Sequence, residues 1–133
     1  MRYLLDTSIC IAHLRGRAKG VTEQLIAHAE NVSVCSIVKA DLLFGLRRSA
    51  RPHAELEKVE TFVADFPSLP FDDTAAIHAA RMRADLAERG TPIGPYDLLI
   101  AAIALANSHT LVTCNAAEFK RVPDLLVEDW RSQ

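Results

Sequence analysis

The chain has 133 residues, half of them hydrophobic and only 6% aromatic, with a formal net charge of −2. That is enough for one domain with an aliphatic, alanine-rich core and too little for two ordinary ones. No apolar run approaches the roughly 18 to 20 residues of a membrane span, the start Met1-Arg2-Tyr3-Leu4-Leu5-Asp6 lacks a signal-peptide pattern, and a cytoplasmic protein without membrane contact is expected. Cys10, Cys35 and Cys114 are odd in number and far apart, which argues against a disulfide framework or zinc knuckle and fits a reducing compartment. His13, His28, His53, His78 and His109 form no HxxxH pair, so a nitrogen-and-sulfur metal site is not expected. Charge is unevenly spread. Residues 1–51 carry eight Lys/Arg against four Asp/Glu, and residues 52–133 carry seven against thirteen.

In chain order, residues 2–5 read as a short buried strand and Thr7 to Leu14 as a helix directly after it. A second helix covers Ala18 to about Ala29. Val32 to Cys35 is a strand, followed by a helix from about Ile37 to Arg48. Pro52 suits the start of a helix that continues to Ala64, and Ser68 to Phe71 reads as a strand. Asp72-Asp73-Thr74 supplies cap chemistry for a long helix ending at Gly90, in which Ala75, Ala79, Met82 and Leu86 form one buried stripe. Gly94-Pro95 opens the next helix, to about Asn107. Thr110 to Thr113 is a strand, Ala116 to Lys120 a helical turn, and Leu125 to Val127 a last strand. Such alternation predicts a single α/β domain over residues 1–133, with a mainly parallel central sheet flanked by helices. The ligand crevice of such a sheet lies at the carboxyl ends of its strands, where Asp6 and Thr113-Cys114-Asn115 stand.

Three acids sit in apolar stretches: Asp6 after Tyr3-Leu4-Leu5, Asp41 within Ser36 to Gly45, and Asp97 at the head of Tyr96 to Leu105. Each has a structural alternative. Asp6 suits a helix N-cap, Asp97 complements a helix dipole as the third helical residue, Asn115 with Glu118 resembles a capping pair, and Asp41 stands within reach of Arg48. Convergence changes the balance, because two carboxylates about 4 Å apart repel by roughly 4 kcal/mol at an effective dielectric of 20. One shared cation compensates them at once, and oxygen-only ligands select Mg²⁺ or Mn²⁺. Water acidified at such an ion is the nucleophile of metal-assisted phosphodiester hydrolysis.

The opening Leu4-Leu-Asp-Thr-Ser-Ile9, the helix ending Leu42-Leu-Phe-Gly-Leu46, the block Pro92-Ile-Gly-Pro-Tyr-Asp-Leu-Leu-Ile-Ala-Ala102 and the tail Leu111-Val-Thr-Cys-Asn-Ala-Ala-Glu-Phe119 resemble the PIN-domain ribonuclease toxins called VapC. The resemblance runs from Met1 to about Trp130. It implies a PIN-like fold, a homodimer, a VapB-type antitoxin as partner, and Mg²⁺-dependent endonucleolytic cleavage of RNA, which makes the chain a hydrolase. It also implies contact with DNA only through the antitoxin complex. Position by position, Asp6 and Asp97 match the family's metal-binding acids, Asp41 stands where the family usually has Glu, and Asn115 matches the fourth site position. Thr7, Ser8 and Thr113 match supporting polar residues: the first two to hold the carboxylate or its metal-bound water, Thr113 with Asn115 to orient water or a phosphate oxygen. The Pro92 to Asp97 block and the Val127-Glu-Asp-Trp130 ending look closest to members that cut transfer RNA in the anticodon loop.

On this reading Asp6, Asp41, Asp97 and Asn115 are the catalytic candidates, with Asp6 and Asp97 on the metal. Arg15, Arg17, Arg47 and Lys120 are candidates for gripping the RNA backbone. Tyr96 is a candidate for stacking a base, against the alternative of a core or dimer-interface tyrosine. Phe44 and Phe62 are candidates for covering a partner helix. The competing class is a PIN-like binding module weakened at Asp41, acting as antitoxin partner or co-repressor. An aspartyl-nucleophile phosphotransferase is disfavoured, since Ser8 stands where a second acid is needed, and no GxGxxG or GxxxxGK motif occurs.

Overall fold

The computed structural model describes residues 1–132. Strands β1 (Tyr3–Leu5), β2 (Val32–Cys35), β3 (Ser68–Leu69), β4 (Thr110–Val112) and β5 (Val127–Glu128) form one five-stranded sheet in the order β3-β2-β1-β4-β5, parallel throughout. Every residue of β1, β2 and β4 is buried, so these strands, apolar but for Ser33 and Thr110, show no alternation of burial, as a sheet covered on both faces requires. Tyr3 stands opposite Val32 on one side and Thr110 on the other. The chain lays β2 and β3 outward on one flank of β1, then returns to lay β4 and β5 on the other. The strand order therefore reverses between β1 and β4, and the crevice beyond their carboxyl ends is where a doubly wound sheet binds its ligand.

Among the described residues seven α-helices cover the sheet: α1 (Thr7–Leu14), α2 (Lys19–Ala27), α3 (Ser36–Leu46), α4 (Pro52–Ala64), α5 (Asp73–Glu88), α6 (Pro95–Ala106) and α7 (Ala116–Phe119). Local chemistry sets their ends. Asp72 caps α5 by accepting from the Ala75 amide at 3.0 Å, and Pro52 and Pro95 occupy first-turn positions where no amide is needed. Gly16 and Gly90 turn the chain off α1 and α5 at φ of +66° and +69°, a region open to residues without a Cβ. The stripe Ala75, Ala79, Met82 and Leu86 is buried as its spacing predicts, and it packs α5 against α6, whose segment Ile100 to Ala104 is wholly buried.

β1 and β4 are each one residue shorter than the sequence-based expectation, and two strands differ by more. β3 stops at Leu69 because Pro70 has no amide to continue a ladder. The last strand begins at Val127 instead of Leu125. A turn with Asp124 at φ 66° drops Leu125 into the core, and pairing with Leu111 starts only at Val127. Beyond β5, Trp130 is completely buried, in edge contact with Tyr3 at 5.0 Å and stacked on His28 at 5.6 Å. Among the described residues no helix is long and apolar enough to cross a membrane.

Candidate active site

Asp6 leaves β1 at the point where the strand order reverses and is only 2% exposed. Its carboxylate is enclosed by donors. Oδ1 accepts from the Ser8 hydroxyl at 2.7 Å and from the Ile9 amide at 3.0 Å, and Oδ2 accepts from the Thr113 hydroxyl, which comes from the end of β4. Asp6 is thus the N-cap of α1 and a member of a buried polar cluster at once, so the two sequence readings are not alternatives. Burial pushes its carboxyl above the usual range, and the three hydrogen bonds oppose that shift.

Asp41 projects from the middle of α3 and accepts the Thr7 hydroxyl at 2.8 Å. The alternative pairing with Arg48 does not form: among the described residues the ion pairs are Lys19–Glu23, Arg89–Asp85 and Arg131–Asp129. Arg48 lies in the exposed turn that follows α3, whereas α1 packs directly on α3 and brings Thr7 to Asp41. Thr7 and Ser8, expected to serve the first acid together, divide instead between two acids. Successive residues at a helix start point about 100° apart, so Thr7 faces α3 while Ser8 faces β4.

Asp97 lies in the first turn of α6, half-buried, and its carboxyl is pushed up to about 6. Burial is the first cause, followed by the negative charges of Glu118, Asp6 and Asp41 in that order. The three predicted acids therefore share one electrostatic field, and none of them has a lysine or arginine partner among the described ion pairs.

Glu118 was missed as a site residue in the sequence, where it reads as the capping partner of Asn115. No such pair exists, since the Asn115 side chain makes no cap hydrogen bond. Glu118 instead accepts the Gly94 amide at 3.3 Å, across the entrance to α6. Its available signal is position: one helical turn beyond Asn115 in the tail that supplies Thr113. Thr113 is also corrected in role. It is completely buried, donates a hydrogen bond to Asp6, and accepts the Asn115 amide at 2.9 Å, so it builds the cradle and does not face a substrate. Asn115 is exposed at the mouth of the crevice.

The basic candidates separate. Arg15 lines an open cleft of about 240 Å³ together with Asp41, Ile11, Leu14 and Lys58. Arg17, Arg47 and Lys120 are exposed, with no ion pair to the acids among the described residues. Tyr96 is 62% exposed, which overturns the core alternative, and Phe44 is equally exposed while Phe62 belongs to the core.

The donor chemistry fits a hard divalent cation: carboxylate oxygens, amide and hydroxyl support, and an uncompensated negative field. The thiols do not compete, because burial raises Cys10 well above its ordinary value and Cys35 to about 11. Among the described residues no three of His, Cys, Asp and Glu stand close enough to form a finished metal cage. Mg²⁺ and Mn²⁺ tolerate this, since they retain several waters and need only one or two protein carboxylates.

The PIN domain family model matches residues 3–125. The tRNA(fMet)-specific endonuclease VapC of Salmonella typhimurium is 35% identical over 130 residues, covering 98% of each chain. Ribonuclease VapC2 of Rickettsia felis is 33% identical over 132 residues, again covering 98% of each. Among solved structures, DNA-bound VapBC from Salmonella typhimurium superposes with a TM-score of 0.93 at 35% identity over 98% of both chains. VapBC2 from Rickettsia felis, bound to a DNA fragment from its promoter, gives 0.92 at 33% identity over 98% of this chain and 99% of that one. These relatives favour a nuclease toxin over a non-catalytic binding module. With the five-stranded parallel sheet and the acids at its switch point, they place the chain in the PIN domain family, among the VapC ribonuclease toxins.

Proposed function

We propose that the chain is the toxin of a type II toxin–antitoxin pair and cuts RNA phosphodiester bonds with the help of one or more Mg²⁺ or Mn²⁺ ions. The observation that carries the metal requirement is the Asp97 carboxyl, held at about 6 by burial and by the charges of Glu118, Asp6 and Asp41. At neutral pH that carboxylate is largely ionised among acids that oppose its charge, and a divalent cation is the compensation that oxygen ligands select. Asp6 and Asp97 would hold the ion, with Asp41 acting on it directly or through water and Glu118 adding to the field. When bound, the ion supplies a water of lowered pKa and charge stabilisation at the phosphoryl oxygens. The chain's own part is orientation. Ser8, Thr113 and the Ile9 amide fix the Asp6 carboxylate, Thr7 fixes Asp41, and Asn115 stands at the crevice mouth to aim water or a phosphate oxygen.

For substrate, the name of the Salmonella relative and the exposure of Tyr96 one residue from Asp97 support transfer RNA, in the anticodon loop. Unstacked loop bases suit an aromatic beside the scissile phosphate. Arg15, in the cleft shared with Asp41, is positioned to meet a neighbouring phosphate, while Arg17, Arg47 and Lys120 have only their exposure and charge in favour of a backbone contact. A VapB-type antitoxin is the proposed partner, supported by the VapBC complexes of the relatives. Exposed Leu43 and Phe44 on α3 give it an apolar landing beside that cleft. Homodimerisation, DNA contact through the antitoxin alone, and a cytoplasmic location consistent with three free thiols complete the proposal. The test is cleavage of total RNA by wild type and Asp6→Asn, with and without EDTA, followed by mapping of the cut ends. Fragments confined to transfer RNA, lost in both EDTA and the variant, are expected. Cutting that survives both treatments refutes the metal mechanism, and ends found only in ribosomal or messenger RNA refute the substrate.

A further inference from the structure

The peptide between Cys114 and Asn115 is held at both of its polar ends. Its amide, the Asn115 N–H, donates to the Thr113 hydroxyl oxygen at 2.9 Å. Its carbonyl, Cys114 O, accepts from Arg131 Nη2 at 2.9 Å. The Thr113 hydroxyl has a single proton. With the Asn115 amide occupying its oxygen, that proton is directed at Asp6 Oδ2. The amide of Cys114 itself donates to the Ser8 oxygen at 3.0 Å, and Ser8 donates onward to Asp6 Oδ1 at 2.7 Å. Both oxygens of the buried acid are thus oriented through the two peptides that flank Cys114, and Arg131 holds the outer of the two.

Arg131 is equipped to hold it. Its guanidinium forks onto Asp129, with Nε at 3.1 Å from Oδ1 and Nη2 at 2.7 Å from Oδ2, and its own amide donates to Asp129 Oδ1 at 3.0 Å. Between the two, Trp130 is wholly buried and donates from Nε1 to Glu128 at 3.1 Å. An exposed arginine ordinarily contributes little to stability. This one is pre-oriented by a carboxylate whose backbone is anchored by a buried tryptophan, and the same Nη2 nitrogen that meets Asp129 also donates to the Cys114 carbonyl. We infer that Arg131 is a positioning residue for the nuclease centre: clamped by Asp129, it fixes the Cys114–Asn115 peptide and through it the hydroxyls that orient Asp6 and the placement of Asn115. The inference rests on the proposed ribonuclease activity for its kinetic consequence, while the clamp itself is visible without any substrate.

The test uses the full chain with Arg131→Ala and Arg131→Gln. In Arg131→Ala, kcat is expected to fall about tenfold, as does the apparent affinity for Mn²⁺, with KM for RNA unchanged. Arg131→Gln, which restores a neutral donor to the carbonyl, is expected to recover part of kcat. In the metal-free protein the amide resonances of Ile9, Cys114 and Asn115 are expected to move in Arg131→Ala and to return toward wild type in Arg131→Gln. A raised KM with kcat unchanged makes Arg131 a contact to the RNA backbone and overturns the inference, as does an Ala variant with wild-type kcat, Mn²⁺ affinity and amide shifts. If wild type cleaves no RNA, the functional proposal fails by itself, and the amide shifts and Mn²⁺ titration still decide the clamp.

Discussion

The Thr7 hydroxyl donates to Asp41 Oδ2 at 2.8 Å, joining the first residue of α1 to the middle of α3 across 34 positions of sequence. An aspartate inside a helix ordinarily competes with its own backbone. Here a threonine from another element donates to one carboxylate oxygen of an aspartate that lines the cleft shared with Arg15. Replacing Thr7 by Val keeps the shape and removes the donor. Cleavage is expected to drop severalfold, and stability by about 1 kcal/mol, read from single-turnover kinetics and urea unfolding. Lengthening Asp41 to Glu keeps the charge and adds one methylene, and activity is expected to be kept or raised, whereas Asp41→Asn is expected to lose it; wild-type activity in Asp41→Asn would remove Asp41 from the site.

Thr113→Val deletes a completely buried donor to a buried carboxylate. The hydrogen bonds now restraining the upward shift of Asp6 would be one fewer, so its carboxyl is expected to rise further. At pH 7 the variant should be less stable by about 2 kcal/mol. An ionised Asp6 would be short of a donor, so the deficit should shrink as pH falls and the carboxyl takes up a proton. Denaturant unfolding of both proteins at pH 7 and pH 5 checks this; an equal deficit at both values would mean that the loss is one of packing alone.

Asp97 sets a pH dependence of known sign. Its folded value of about 6 lies above the ordinary 3.8, so the folded chain holds the proton more tightly than the unfolded one. The stability this gives is fully present below about pH 4 and is lost as pH rises through about 6. Metal-free wild type should therefore be less stable at pH 7.5 than Asp97→Asn, by on the order of 1 kcal/mol once partial solvent screening is allowed for. The difference should vanish near pH 4. Thermal melts in EDTA across that range measure it, and a variant that is the less stable of the two at pH 7.5 would show that Asp97 is compensated in the free protein.

Much of this site can be read along the chain, and what cannot has a physical reason. Asp6 and Asp97 stand out because each is a charge in an apolar run, and burial of β1 and α6 follows from the same runs. The helix stripe of Ala75, Ala79, Met82 and Leu86 is equally direct, since its period is local. Partnership is not local. Nothing near Thr7 in sequence announces Asp41, and Ser8 meets Thr113 and Cys114 only because β1 and β4 pair in parallel. Glu118 is hidden by a plausible cap motif that the short α7 does not use, and its true neighbour Gly94 lies 24 positions away. The Arg131 clamp is likewise illegible, because a guanidinium near a chain terminus has no periodic signature.

The account turns on a cation between acids that otherwise repel, and the Asp97 carboxyl reports on it directly. Its carbon resonance, followed against pH in the metal-free protein and again at saturating Mg²⁺, gives two titration midpoints. The first is expected near 6, and the second lower by more than about one unit, because a bound divalent ion reverses the sign of the local field. Identical midpoints with and without Mg²⁺ would contradict the account, since no ion would then be sharing the charge of Asp97.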